Sequence, residues 1–184
     1  MDSKDFILQI DDAFSESSCQ QITNLCGGIR NKSFPRENGG QYQEISVRHE
    51  FPDILEPISN SVASHLEQYE EKFKKFGEFL PEDICLEEFN VRCYDSSTRD
   101  HHNLHVDTYD ADTSSRILTF IYFLNEDFTG GATIFPEHDS IITPKTGSVI
   151  IFPSNWQYPY KEAPVRTGKK YTMKTHLTYD YGED

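Results

Sequence analysis

Arg116-Ile117-Leu118-Thr119-Phe120-Ile121-Tyr122-Phe123-Leu124 is a nearly continuous run of β-branched and aromatic residues, the composition of a buried strand. Residues 86–94 upstream form a second strand candidate. Residues 132–135, 148–152 and 170–179 follow as further candidates, each set off by turn residues. Short strands at this regular spacing argue for an antiparallel sandwich or barrel.

Before Gly77 the apolar period is helical. Ser15 offers an N-cap to a helix carrying Cys19, Ile22, Leu25 and Cys26 on one stripe, and Gly27-Gly28 ends it. From Leu55 the positions Ile58, Val62, Leu66, Tyr69, Phe73 and Phe76 recur every three or four residues, and Gly77 closes the run. Between the two helices, residues 31–43 carry Pro35, Asn38 and Gly39-Gly40 and read as a loop. Helices first and strands afterwards make the chain α+β, with the helices packed on one outer face of the sheets. One domain is expected over residues 1–184, with helical support over about 1–80 and the strand core over about 81–180.

Composition narrows the function classes. Only 36% of the 184 residues are hydrophobic, and no apolar run reaches the ~20 residues of a membrane helix. Met1-Asp2-Ser3-Lys4-Asp5 lacks the basic n-region of a signal peptide, so a cytoplasmic protein without a membrane partner is expected. Lys and Arg number 17 against 31 Asp and Glu, and the resulting charge of −14 repels phosphate backbones, which argues against nucleic acid as a partner. Aromatic residues at 13% supply the core material that disordered acidic chains lack. Cys19, Cys26, Cys85 and Cys93 include no Cys-x-x-Cys pair and read as free core thiols of a reducing compartment.

The sharpest local feature is His105-Val106-Asp107, because residues two apart on a strand share a face on which an imidazole and a carboxylate can converge on one cation. After it come Arg116-Ile117-Leu118-Thr119, Tyr122-Phe123-Leu124-Asn125, Phe128-Thr129-Gly130-Gly131-Ala132-Thr133-Ile134-Phe135, Pro144-Lys145-Thr146-Gly147-Ser148, Phe152-Pro153-Ser154 and Pro164-Val165-Arg166-Thr167-Gly168-Lys169-Lys170-Tyr171. This ordered series resembles the iron(II) and 2-oxoglutarate-dependent oxygenases, in their prolyl 4-hydroxylase-like branch. The resemblance covers about 86–179, half the chain.

The resemblance implies a double-stranded β-helix, or jelly roll, with Fe(II) and the co-substrate 2-oxoglutarate inside its open end and ascorbate as an accessory reductant. A ferrous ion held on one face by two His and one carboxylate keeps three positions, two for 2-oxoglutarate and one for dioxygen. His105 and Asp107 match the first two ligands. The cation for the far carboxylate of 2-oxoglutarate matches Lys170, whose alternation partners Thr172 and Lys174 share its face while Tyr171 and Met173 point the other way. Tyr94 matches a strand tyrosine that touches the co-substrate, and Arg92 and Thr119 lie on strands lining the same cavity.

The family's second histidine falls ten residues before this lysine, and here that position is Tyr160. A neutral phenol must lose its proton, at roughly 4 kcal/mol at pH 7, before it binds Fe(II) well. His176, six residues past Lys170 and so about 20 Å along a strand, is expected to be too remote to substitute. His101 and His102 are expected in a loop before His105, His49 in a strand, His65 on a helix surface and His138 in a turn. Two functions follow. One is a 2-oxoglutarate and Fe(II)-dependent hydroxylase of a small-molecule or peptidyl substrate, impaired by Tyr160. The other is a catalytically silent jelly-roll binding protein that retains a 2-oxoglutarate or small-ligand pocket.

Overall fold

The computed structural model describes residues 6–27, 34–35 and 40–180. Strand β1 (Leu8–Ile10) leads into helix α1 (Glu16–Gly27), followed by β2 (Phe34–Pro35), β3 (Gly40–Ser46) and helices α2 (Val47–Glu50), α3 (Leu55–Lys72) and α4 (Lys74–Phe79). Strands then dominate: β4 (Ile84–Leu86), β5 (Asn90–Asp95), β6 (His101–His105), β7 (Arg116–Phe123), β8 (Thr129–Gly130) and β9 (Thr133–Phe135). The last are β10 (Ser140–Ile142), β11 (Val149–Pro153), β12 (Tyr160–Glu162), β13 (Val165–Thr167) and β14 (Lys169–Tyr179).

Ser15 Oγ accepts the backbone N–H of Ser18 at 3.1 Å, so α1 starts where its cap predicts. Cys19 and Ile22 are buried beneath it, while the side chain of Cys26 lies outside the described part of the structure. The second expected helix is two. Phe73 leaves the helical region at φ −119°, ψ 65°, and its ring packs 5.0 Å from Phe6 and 4.7 Å from Tyr69. Aromatic packing on β1's lead-in thus overrides a continuous helical period.

Of the loop expected over 31–43, residues 31–33 and 36–39 lie outside the described residues, but 34–35 and 40–43 are strand. Here ladder pairing with β5 and β6 outweighs a glycine- and proline-rich composition, and Tyr42 and Ile45 are buried. His49 sits in α2 rather than a strand, with Ser46 Oγ capping its N–H at 3.2 Å. His65 is buried rather than exposed, its Nδ1 2.9 Å from the Tyr122 hydroxyl. Cys85 is an exposed thiol, whereas Cys19 and Cys93 are buried, and all three are free.

Twelve strands follow one path, β1-β11-β7-β14-β5-β3-β6-β12-β9-β10, with β2 on β3 and β4 on β14, and β8 and β13 pair as a separate two-stranded sheet. All pairs are antiparallel, and the path turns back on itself at β3, which pairs with β5 on one side and β6 on the other. This is the jelly roll. Strand β7 shows why its sequence is apolar throughout: Leu118, Phe120 and Tyr122 face the helices, while Ile121 and Phe123 face the interior with Phe135, Ile150 and Phe152. Burial of each such side chain contributes about 1.5–3 kcal/mol. The α1 lead-in is fastened to the barrel at Gly147, whose carbonyl accepts the Phe14 N–H at 2.9 Å. At φ +79°, with a Cβ position only 2.2 Å from the Phe14 carbonyl oxygen, that residue must be glycine.

Candidate active site

Alternation along the strands delivers a polar set to the interior. Lys170, Thr172, Lys174 and His176 alternate along one face of β14, and all are buried. Register places Lys170 opposite Tyr94, Thr172 opposite Arg92 and His176 opposite Thr119. From the facing sheet, Tyr160 pairs with His105, and Glu162 pairs with both His102 and Thr133. His101 and His102 are therefore strand residues of β6 rather than loop residues. Asp107 follows β6 and is pinned by its N–H to Ser154 O at 3.2 Å and by its carbonyl, which accepts from Arg116 Nη1 at 2.8 Å.

The Asp107 carboxylate is the centre of the set. Oδ2 accepts from the Thr119 hydroxyl at 2.7 Å and from the Tyr160 hydroxyl at 3.1 Å, and Oδ1 accepts from Lys174 Nζ at 2.5 Å. Lys174 Nζ also donates to the Tyr160 oxygen at 2.6 Å. Burial pushes the Asp107 carboxyl up, but the Lys174 ammonium and His176 outweigh it and hold the group well below the usual carboxylate range. Burial pulls Lys174 down to about 8, with Asp107 opposing, which leaves the ammonium protonated at neutral pH. Burial, and then the Asp107 charge, push the Tyr160 phenol well above its ordinary value, so it stays a proton donor.

Two imidazoles flank this carboxylate. His105 Nε2 lies 3.7 Å from Oδ1, and its Nδ1 donates to Asn103 O at 2.8 Å, which leaves the Nε2 lone pair unpartnered. His176 Nε2, also unpartnered, lies 3.5 Å from Oδ2 while its Nδ1 contacts Glu87 Oε2 at 3.0 Å. The expectation that His176 is remote is corrected: β7 and β14 run antiparallel, and the end of β14 lies beside Thr119, Asp107's own partner. Burial, then the Lys174 charge, pull the His105 imidazole down to about 4; burial, then His105, pull His102 to about 2. The two rings stack at 3.6 Å.

Lys170 faces the interior, as alternation predicts, but is engaged. Its ammonium donates to Glu162 Oε2 and, at 2.7 Å, to the Gly131 carbonyl. Glu162 also accepts from the Thr133 hydroxyl at 3.0 and 3.1 Å. Tyr94 lies beneath, its ring centroid 5.4 Å from Lys170 Nζ. Arg92 pairs with Glu44 at 2.6 Å and stacks 4.6 Å over Tyr42.

The structure thus brings His105, Asp107, Tyr160, Thr119, Lys170 and Tyr94 into one interior. The arrangement does not fit a ferrous ion on His105, Asp107 and Tyr160. Iron needs converging lone pairs, yet Tyr160 spends its proton on Asp107 and a lone pair on Lys174, and the Lys174 cation stands between the two. Among the described residues no group of three His, Cys, Asp or Glu side chains is placed to hold a metal. Lys174, Glu162 and His176 are the site residues that the sequence reading left without a role. The signal for the first was present, since alternation puts Lys174 on the face of Lys170, and Glu162 stands in the same relation to Tyr160.

Comparison with known proteins agrees on the scaffold. The family described as the 2OG-Fe(II) oxygenase superfamily matches residues 89–178. No curated protein matches the chain. The viral collagen prolyl hydroxylase of Paramecium bursaria Chlorella virus-1 superposes with a TM-score of 0.73 at 19% identity, covering 95% of this chain and 96% of that one. A Pseudomonas putida prolyl-4-hydroxylase gives 0.67 at 17% identity, with 95% and 92% covered. A Trichoplax adhaerens prolyl hydroxylase, solved with a hypoxia inducible factor peptide, gives 0.66 at 21% identity, with 96% and 84% covered. Residues 89–178 thus carry the pattern of the 2OG-Fe(II) oxygenase superfamily, and the fold of the chain is that of the prolyl 4-hydroxylases.

Proposed function

We propose that this chain is a member of the superfamily that keeps the jelly roll as a binding module and does not carry out iron-dependent oxidation. The observation that supports this reading is the Lys174 ammonium, 2.5 Å from Asp107 and 2.6 Å from the Tyr160 oxygen. A fixed positive charge there repels a divalent cation and uses the carboxylate that would bind it. The test is Mn(II) titration of the unaltered protein by electron paramagnetic resonance, together with succinate formation from 2-oxoglutarate under Fe(II) and ascorbate. Neither stoichiometric uptake nor turnover is expected. Tight uptake that disappears in Asp107→Ala overturns the proposal.

A second reading rests on the two unpartnered imidazole nitrogens. His105 and His176 direct Nε2 at Asp107 from its two oxygens, and together they are again two histidines and one carboxylate. In that reading the chain is an active oxygenase whose His176 stands in for the residue at 160 once Lys174 is displaced. Its signature is Mn(II) uptake abolished by His176→Ala and unaffected by Tyr160→Phe.

A further inference from the structure

The charges of the second half of the interior form a closed set. Lys170 is 1% exposed, and its ammonium meets one carboxylate, Glu162, itself 4% exposed and fixed through both oxygens by Thr133. An ammonium and a hydroxyl converging on a dry carboxylate are what a protein needs to anchor a carboxylate ligand. Here the chain supplies that carboxylate, two residues along β12 from Tyr160.

We propose that Glu162 is a built-in occupant of the carboxylate anchor formed by Lys170 and Thr133, so that the natural protein is closed to 2-oxoglutarate and similar dicarboxylates at this end. The proposal extends the binding-module reading to the part of the pocket remote from Asp107, and it stands on Lys170, not on the metal position. Removal of the Glu162 side chain leaves a cavity with a buried cation whose remaining hydrogen-bond acceptor is the Gly131 carbonyl. A small free carboxylate has the size and charge to fill it.

The test is chemical rescue in the presence of EDTA, which keeps it independent of any metal. Glu162→Ala is expected to melt below the unaltered protein and to regain stability with acetate or propionate, while chloride at the same ionic strength does nothing. Calorimetry with 2-oxoglutarate is expected to show no binding to the unaltered protein and saturable binding to Glu162→Ala that weakens about 10- to 100-fold when Lys170→Met is added, the range for a hydrogen-bonded charge pair. Lys170→Met combined with Glu162→Ala should lose the rescue. Saturable 2-oxoglutarate binding by the unaltered protein that is abolished in Lys170→Met overturns the proposal, because the anchor is then open. A folded Glu162→Ala that no carboxylate stabilises also overturns it. If Glu162→Ala does not fold, the measurement on the unaltered protein still decides. Mn(II) uptake at Asp107 with an unchanged carboxylate result would sink the non-oxidising reading and leave this one standing.

Discussion

Replacement of Lys174 by methionine keeps the length of the side chain and removes its charge, so it isolates the ion pair without opening a cavity. Breaking a buried pair by removing one partner costs about 3–5 kcal/mol, chiefly because the other charge stays buried without its counterion. Asp107 keeps three contacts in this variant, from Thr119 at 2.7 Å and Tyr160 at 3.1 and 3.3 Å, which places the loss near the lower end, about 3 kcal/mol. For a chain of 184 residues this corresponds to a fall in Tm of about 6–12 °C. The assay is urea and thermal unfolding in EDTA, since a metal ion bound to the unpaired carboxylate would restabilise the folded state. Asp107→Asn combined with Lys174→Met should recover most of the loss, because a whole buried pair is often replaced at little cost, and the cycle yields the coupling directly. If Lys174→Met alone unfolds within about 1 kcal/mol of the parent, the ammonium is not paired with Asp107, and the account of the site is wrong.

Tyr160→His by itself should leave Mn(II) uptake unchanged, because Lys174 still stands against Asp107; joined to Lys174→Ala it should raise metal affinity at least about tenfold, and a rise from the single change would show that the lysine is no obstacle. Glu87 contributes to acid stability. Burial pushes its carboxyl up, but hydrogen bonds from His176 and Arg116 hold it at about 2 against an ordinary 4.5, so its contribution, about 3 kcal/mol, is present above pH 4.5 and fades as pH falls from there through about 2. Glu87→Gln should therefore lie below the parent at neutral pH and meet it near pH 2 in urea unfolding, and parallel curves across that window would contradict this. Gly147→Ala should cost about 1–3 kcal/mol by thermal unfolding, from its positive φ and the clash with the Phe14 carbonyl, and a neutral result would mean that the α1 lead-in shifts freely.

The strand half of the fold was legible because its period is strong. The run from Arg116 to Leu124 is apolar on both faces, and β7 is buried on both faces. Alternation along β14 likewise sorted Lys170, Thr172 and Lys174 from Tyr171 and Met173. Several short elements escaped, β1, β6 and β10 among them, since strands of three to five residues offer little period to detect and are held by their neighbours' ladders. The site was legible as a set of positions but not as a set of partners. The family resemblance identified Tyr160 and Lys170 one residue at a time, whereas what each touches depends on cross-strand register. His176 shows the limit: a distance measured along the chain said remote, and antiparallel pairing with β7 brought it beside Asp107.

The placement of Asp107 and Lys174, one after β6 and the other 67 residues later in β14, bears on how the chain folds. Neither charge gains from leaving water until its partner arrives, and they meet only when the two sheets close. Contacts that wait for both sheets are expected to form late, and so to add little to the folding rate. Their weight falls instead on the reverse step, because the sheets must part before water can reach either ion. Contacts formed after the transition state slow unfolding. The interior ion pairs therefore act as a kinetic lock, in that what they add to equilibrium stability is expressed in the lifetime of the closed barrel and not in the rate at which it forms.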